Sequence, residues 1–366
     1  MATKPHRPGQ VPPTGLPTVG SGQPFSPFAS DDLTQAHDQV LPPGLLRRLD
    51  CRSVVSGHVT CVVEGAAVLG SAGSPWRADA VATAHDIEAA RLQALGKGLS
   101  RYAAAFWQAD TLSNHPPQPP HGTGPGPWVR MWVGEDRREV WMPAARVYAP
   151  FRLGGGRLVG DDEGLACARS LDAARAAAEV QQVRRRAMLP LWQALAREQQ
   201  RAGAPFGPEQ ASIDRIVGHA HGLTLAISFQ WSAAGPLHGV AGLGCGVDDV
   251  QALAQARADR AHTEALLRLQ QAGVWGGWAQ DCPADLDARL HRLAWDREAA
   301  LALARLLDAW TAPTQPAVRT AQRTALAWAD LTPPLLQAAG WWAVRVLWLD
   351  GEGGWISRPA PPSPLH

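Results

Sequence analysis

Three alanine-rich segments each carry a short polar cluster in the middle of an apolar, helix-like pattern. Two of the clusters contain lysine or arginine and no carboxylate, and the third combines an aspartate with an arginine and a histidine. Guanidinium and ammonium groups that converge bind a phosphate or a carboxylate directly, without a metal ion. If the three segments face one another, these residue types predict a cationic pocket. The clusters are Lys97/Ser100/Arg101, Gln181/Arg184/Arg185/Arg186 and Asp259/Arg260/His262.

A second interpretation of the same residues stays open. The run of three arginines at 184–186 is also typical of a solvated helix face. Lys97 and Ser100 would then be surface residues of a helix that Gly96 and Gly98 weaken. Deciding between the two interpretations requires the positions of the three segments in the fold.

Carboxylates just before the second cluster offer different chemistry. Asp161, Asp162 and Glu163 form an acidic segment that is typical of a solvated loop, but it also provides the oxygen ligands that a divalent cation prefers. His219 and His221 have no third metal ligand nearby in the sequence, so we expect a turn there and no metal site.

The composition excludes several classes of partner. Among 366 residues, 34 basic and 33 acidic side chains leave a formal net charge of +1, so no overall field attracts nucleic acid or an anionic membrane. The apolar runs are far shorter than the roughly 20 residues that a membrane-spanning helix needs. The N-terminus lacks the apolar core of a secretory signal. Five widely spaced cysteines without a CxxC pair predict reduced thiols and a cytoplasmic protein.

Periodicity and capping residues predict the helices. Asp86 is the expected N-cap of a helix that reaches Phe106, and Ser170 opens another that Pro190 should kink or break before a further stretch to about Gln200. The remaining helices are expected from Asp248/Asp249 to Gly273, over about Ala284–Trp310, and after Thr332-Pro333.

Apolar alternation and β-branched residues predict the strands between these helices. A strand with a bulge or turn at Gly57 is expected first, and two hairpins and a final pair follow. The expected ranges are 52–64, 128–133 with 140–148, 223–231 with 237–243, and 325–328 with 341–349.

The order and surroundings of the three clusters resemble the YcaO family, which includes ATP-dependent cyclodehydratases that form azolines on ribosomal peptides. The family's first helix has the pattern A-L-G-E-A-x-E-R-Y, and Ala94–Tyr102 has the sequence ALGKGLSRY. Ala94, Leu95, Gly96, Arg101 and Tyr102 match the pattern, whereas Lys97 and Ser100 stand at the two glutamate positions.

The second and third helices show the same kind of replacement. The family's E-L-x-E-R-D-A is matched by Gln181–Ala187, which puts Gln181, Arg184 and Arg186 at the positions of two glutamates and an aspartate. In the family's A-L-x-x-A-x-x-E-x-x-Q, Asp259 and His262 stand at the glutamate and glutamine positions. Further matches cover about residues 50–350 and include Trp141–Ala144, Glu163–Ala166, Ala329–Thr332 and Gly340–Val346.

The resemblance implies that a magnesium-ATP site has been lost. In the family those carboxylates hold magnesium around the ATP phosphates. A divalent ion about 4 Å from one carboxylate gains roughly 8 kcal/mol at an effective dielectric near 20, and a cation in the carboxylate's place reverses the sign. We therefore expect no metal site and no cofactor.

Three functions follow as hypotheses. The first is a non-catalytic scaffold of ribosomal-peptide modification that binds a precursor peptide or a partner enzyme. The second is an active ATP-dependent cyclodehydratase or amide-activating enzyme, with ATP, magnesium and relocated ligands at Asp161, Asp162, Glu163 and Asp259. The third is a metal-free phosphate-binding protein. Neither nucleic acid nor a membrane is expected as a partner, and a homodimer stays open.

The expected fold is α+β and YcaO-like, with mixed or antiparallel sheets and helices packed around a cleft. We expect a disordered tail over residues 1–43, one domain over 44–357 and a proline-rich tail over 358–366. The last tail only approximates the P-x-P-x-P ending of azoline-forming members.

Overall fold

The computed structural model describes most of the central part of the chain. Both expected tails, the segment at 161–163 and His221 lie outside the described residues. The described residues are 45–65, 67–69, 75–77, 79–107, 111–113, 127–134, 137–148, 164–199, 209–220, 222–273, 292–310 and 326–349.

The strands form antiparallel sheets. One sheet has the order β1-β2-β5, a second has β10-β11-β12, and a larger one has β6-β7-β13-β14-β9 with β8 added next to β7. A short β3-β4 pair stands apart from these. The bounds are β1 (Leu46–Arg52), β2 (Val59–Gly65), β3 (Ala67–Leu69), β4 (Pro75–Arg77), β5 (Ala80–Ala84), β6 (Leu112–Ser113), β7 (Trp128–Val133), β8 (Arg138–Pro143), β9 (Leu165–Ala168), β10 (Gln210–Ala220), β11 (Leu223–Ser232), β12 (Gly239–Gly246), β13 (Leu326–Asp330) and β14 (Trp342–Trp348).

Helices pack on these sheets, which confirms the expected α+β class. The helices are α1 (Ile87–Ala105), α2 (Ala144–Val147), α3 (Leu171–Gln199), α4 (Asp249–Gln271), α5 (Arg297–Asp308) and α6 (Pro334–Ala338). Among the helices of the described residues, none combines the length and the hydropathy needed to cross a bilayer.

Helix α1 lies between the first sheet and the large sheet. Asp86 caps it as expected, since its Oδ1 accepts a hydrogen bond from the Ala89 amide at 2.7 Å. The helix contacts β2 and β5 on one side and β9 on the other. A Cβ on Gly96 would lie 3.1 Å from the carbonyl oxygen of Cys167, so this glycine allows the close approach of α1 to β9.

Helix α4 packs backbone to backbone on β12. A Cβ on Gly242, Gly244 or Gly246 would lie within 2.6 Å of α4 backbone atoms. Three side chains spaced four residues apart on α4 also accept hydrogen bonds from alternate β12-side amides, at 2.8–3.1 Å. These acceptors are Gln251, Gln255 and Asp259, and the donors are Val247, Cys245 and Leu243.

Of the kink or break expected at Pro190, the break was wrong, because α3 continues from Leu171 to Gln199. A proline inside a helix removes one backbone hydrogen bond and costs about 3 kcal/mol. The residues that follow it, Leu191, Trp192 and Leu195, are buried against the core formed with α5 and the β10–β12 sheet. Their burial offsets that cost.

Several predicted boundaries also need correction. The turn expected at Gly57 is present, with a φ of +75°, but it divides the range 52–64 into two paired strands, and β1 begins earlier, at Leu46. Strand β8 ends at Pro143, and the residues expected to extend it form α2. The helix expected from about Ala284 becomes α5 only at Arg297, where Asp296 provides the N-cap, and residues 274–291 lie outside the described chain.

The prediction of reduced thiols throughout was wrong for one pair. Cys51 and Cys61 face each other across β1 and β2, with Cα atoms 4.1 Å apart, and form a disulfide. Sequence spacing did not indicate it because the pairing depends on the register of the hairpin.

Candidate functional site

Helices α1 and α4 meet at Lys97 and His262. The ammonium nitrogen of Lys97 lies 2.9 Å from Nε2 of His262 and donates a second hydrogen bond to the carbonyl oxygen of Val81 at 3.2 Å. Lys97 therefore links α1 to α4 and to β5. The structure brings these two predicted site residues together.

His262 ends a chain of polar side chains that leads into the first sheet. Since Lys97 donates to Nε2, that atom acts as the acceptor and the ring proton is assigned to Nδ1, which lies 3.3 Å from Oγ1 of Thr83. Thr83 in turn lies 3.1 Å from the hydroxyl of the buried Thr60. This arrangement requires a neutral imidazole.

The charges around His262 favour the same neutral form. Burial holds the pKa of His262 well below its usual value, and the charges of Lys97, Arg184 and Arg101 lower it further. Helices α1 and α3 thus place cations near one imidazole, which α4 provides. The structure brings residues of all three polar clusters together around a neutral histidine.

Arg184 on α3 is held by Asp259 on α4. Its Nη1 lies 3.5 Å from Oδ1 of Asp259 and donates to the carbonyl oxygen of Leu243 at 3.2 Å. The other oxygen of Asp259 accepts the Leu243 amide at 2.9 Å. Both side chains are about three-quarters buried, with 27% and 24% of their side-chain surface exposed. The one remaining carboxylate of the site is therefore fully engaged with protein donors.

The other predicted site residues are placed differently. Arg101 donates to the carbonyl oxygen of Asp79, and the hydroxyl of the buried Ser100 donates to the carbonyl of Lys97 within α1. Gln181 is half-buried and makes no hydrogen bond within the described residues. For Arg186 only the helical backbone is described. The acidic residues Asp161, Asp162 and Glu163, proposed as alternative ligands, lie outside the described chain.

Sequence reasoning missed the threonines and backbone carbonyls of this site. Thr60 and Thr83 belong to β2 and β5, and Thr83 is 179 residues from His262 along the chain. No local pattern indicates such a contact. His219, expected in a turn, lies in β10 and contacts the hydroxyl of Thr224 at 3.1 Å.

The arrangement does not suit a divalent cation. Within the described residues, no three histidine, cysteine, aspartate or glutamate side chains come together as a metal-binding group. At the positions that the YcaO resemblance assigns to carboxylates, Lys97 and Arg184 instead bridge the helices. Hard divalent cations need several oxygen ligands, and a positive charge in their place repels them.

Comparison with solved structures identifies the architecture. The chain is similar to the structure of YcaO from Methanopyrus kandleri bound with AMPPCP and Mg²⁺, with a TM-score of 0.56 over 86% of this chain and 87% of that one, at 16% identity. The chain has the YcaO fold. The resemblance inferred from sequence is therefore confirmed at the level of fold.

Two further structures share the YcaO fold. One is a heterocyclase in complex with substrate and cofactor, with a TM-score of 0.58 and 14% identity, of which this chain covers about half (52%). The other is the E. coli microcin synthetase McbBCD complex, with a TM-score of 0.53 and 10% identity over 83% of this chain and 87% of that one. No protein-family model and no curated protein sequence matches the chain.

Proposed function

We propose that this chain is a non-catalytic component of ribosomal-peptide modification that binds a precursor peptide or a partner enzyme and does not use magnesium-ATP. The observation that carries the proposal is the pair of internal contacts Lys97–His262 and Arg184–Asp259. They join the helices with protein groups at the positions where the family resemblance implies magnesium ligands. The YcaO fold itself supplies the link to peptide modification.

Structures with the same fold support the kind of partner proposed. The microcin synthetase McbBCD is a multi-protein complex, and one of its structures has pro-MccB17 bound. The heterocyclase structure contains substrate and cofactor. A chain of this fold without a metal site would contribute binding surface and leave the chemistry to a partner. This role places the chain in the cytoplasm, where ribosomal peptides are made.

The internal contacts also bear on metal-free phosphate binding at this site. Lys97, Arg101 and Arg184 each donate to a carbonyl oxygen of the protein, but one such contact does not use up the three donors of an ammonium group or the five of a guanidinium group. A phosphate beside Arg184 would, however, meet the carboxylate of Asp259, which lies 3.5 Å from the guanidinium and repels an anion. The geometry therefore favours the scaffold over the phosphate-binding hypothesis.

Calorimetric titration with ATP, with and without magnesium, tests the proposal. We expect no heat of binding in either condition with ATP up to about 1 mM. A second titration uses a Cys/Ser/Thr-rich precursor peptide encoded beside this gene, and here we expect binding that does not change when magnesium-ATP is added. Magnesium-dependent ATP binding would overturn the proposal and redirect attention to Asp161, Asp162 and Glu163 as ligands. ATP binding without magnesium would instead revive the phosphate-binding hypothesis.

A further inference from the structure

A cleft that Lys97, His262, Arg184 and Asp259 do not line lies along α4. The cleft has a volume of about 670 Å³. Its walls are α4, the turn between β1 and β2, His85 after β5, and Gln230 on β11. Ala261 and Arg257 each lie two residues from Asp259, which turns them about 200° around the helix axis from it. The cleft therefore lies on a different face of α4 from Asp259 and has its own lining residues.

Three arginines and one glutamate line this cleft, and with Asp214, which pairs with Arg257, the group keeps one net positive charge. We call it the arginine cleft and define it by Arg257, Arg260, Arg268, Glu264 and His85. The guanidinium group presents five N–H donors and suits planar, two-pronged contacts with carboxylates. Glu264 pairs with Arg268 at 2.5 Å and Asp214 pairs with Arg257 at 2.8 Å, but both arginine side chains are more than half exposed, so these pairs leave guanidinium donors for a ligand in the cleft.

Contacts with strand β10 hold two of the arginines in place. Arg257 donates through Nε and Nη2 to a single oxygen of Asp214, both at 2.8 Å. Arg260 donates through Nη1 to the hydroxyl of Ser212 at 2.9 Å. Side chains that are already positioned lose less conformational freedom on binding, which favours affinity. The remaining N–H groups of both arginines are not used by these contacts.

The spacing of the arginines along α4 favours an elongated ligand. Arg257 and Arg268 are eleven residues apart, which corresponds to about 16 Å along a helix. An extended peptide covers that length with about five residues. A single phosphate cannot bridge such a span. Small residues lie between the arginines on the cleft surface, namely Ala254, Ala258 and Ala261, and leave room for a backbone.

The opposite wall is formed by two stacked histidine rings. The rings of His58 and His85 have centroids 4.2 Å apart. Their Nδ1 atoms lie 3.2 and 3.3 Å from the carbonyl oxygens of Ser56 and Gly57, which fixes both rings. The cleft is thus lined by arginines of α4 and by two histidine rings that contact each other.

We propose that the arginine cleft binds an extended acidic peptide segment, with carboxylates on Arg257, Arg260 and Arg268. The inference rests on the proposed peptide-binding function and names the site and the chemical class of the peptide. Alternating acidic residues match a row of separate guanidinium groups on one helix. A nucleic acid is disfavoured because the chain as a whole carries a net charge of only +1.

Fluorescence anisotropy with a labelled decapeptide of alternating Glu and Ala tests this site on the full chain. A decapeptide of alternating Gln and Ala serves as the uncharged control. The test variant is Arg260→Gln/Arg268→Gln, which leaves the Arg257–Asp214 pair intact. The matched control is Arg197→Gln/Arg297→Gln, which removes the same charge from exposed positions of α3 and α5 outside the cleft. Thermal melts show whether both variants are folded.

We expect the acidic peptide to bind the wild type at least tenfold more tightly than the Gln peptide. The cleft variant should weaken that binding at least tenfold, and the control variant less than twofold. If both variants weakened binding equally, or if the cleft variant did not weaken it, the arginine cleft would not be the peptide-binding site. Peptide binding at another surface would still stand. Equal competition by a single-stranded oligonucleotide of the same charge, or no binding of the acidic peptide at 1 mM, would also overturn it. The magnesium-ATP titration tests the proposed function and does not involve the cleft. Its result can therefore be judged separately from the peptide experiment.

Discussion

Lys97 donates a hydrogen bond to Nε2 of His262 across 2.9 Å and so joins α1 to α4 at the centre of the YcaO fold. A protonated imidazole would carry a hydrogen on Nε2 and would face the ammonium group with a second positive charge. The contact therefore exists only while His262 is neutral. The protonation state of His262 therefore reports whether the Lys97 contact between α1 and α4 is intact.

Lys97→Ala should raise the pKa of His262. Burial is the largest cause of the lowered pKa and remains in the variant, but the nearest cation and its hydrogen bond are lost. We expect the pKa to move toward, but not reach, the usual value of 6.5. Titration of the His262 ring signals by NMR measures it. Lys4→Ala, which removes the only other lysine, is the control and should leave the signals unchanged.

The stability of the protein should fall with pH below about 6.5, in part because of His262. The folded state excludes a proton from His262 that the unfolded state accepts below its pKa near 6.5. The unfolded state then binds more protons, so stability is complete above that pH and is lost as the pH falls. One such group contributes a slope of up to about 1.4 kcal/mol per pH unit.

The variant His262→Gln isolates this contribution from the other histidines. Glutamine cannot titrate in this range and still offers a carbonyl oxygen to Lys97. We expect the free energy of unfolding, measured in urea between pH 7 and 5, to fall less steeply in the variant than in the wild type. Parallel slopes in the two proteins would show that His262 titrates normally in the fold.

Asp259→Ala should destabilise the protein by about 2 kcal/mol. The substitution leaves the Leu243 amide and the Arg184 guanidinium without their acceptor in a mostly buried place, and such losses cost about 1–3 kcal/mol. Asp308→Ala is the control, because Asp308 is 67% exposed and lies 3.9 Å from Arg215. An exposed pair of this kind contributes less than about 0.5 kcal/mol. If urea denaturation showed the same loss of unfolding free energy for both variants, the contacts of Asp259 would not stabilise the fold.

The sequence predicted the helices that carry the site because their ends are encoded locally. Asp86 and Asp248 each accept a hydrogen bond from an amide three residues later, and Gly273 adopts a φ of +65° just after α4. Caps of this kind depend on a few adjacent residues, so they can be recognised without the fold. The polar clusters lie on those helices, and the family resemblance raised the hypothesis that they face one another.

The parts that sequence reasoning missed depend on contacts between distant segments. Thr60 and Thr83 reach His262 only because α4 packs beside β5. Strand β10 has mixed residues and was not expected, yet its pairing with β11 fixes it in the sheet. The same holds for Pro190, where burial of the residues after it outweighs a local preference. Tertiary packing decided each of these cases.

Reduction of the Cys51–Cys61 disulfide should lower the free energy of unfolding by about 2–3 kcal/mol, because it frees a loop of ten residues in the unfolded chain. Burial raises the pKa of Cys167 to about 12, so this thiol should not exchange with the pair at pH 8. Urea denaturation with and without dithiothreitol measures the effect. The double variant Cys51→Ala/Cys61→Ala is the control and should not respond to the reductant.

Gly244→Ala tests whether α4 must touch β12 to hold Asp259 and His262 in place. The added Cβ would lie 1.8 Å from the carbonyl oxygen of Ala252, far inside contact distance, and both atoms belong to rigid backbone. We expect a loss of about 3 kcal/mol or failure to fold, since overpacking between rigid elements costs at least 1–3 kcal/mol. Gly218→Ala in β10 is the matched control, because a Cβ there would meet nothing within 4 Å. If the two variants unfolded at the same urea concentration, α4 would not pack as closely on the strand as described, and the convergence of Lys97, Arg184 and His262 would lose its structural basis.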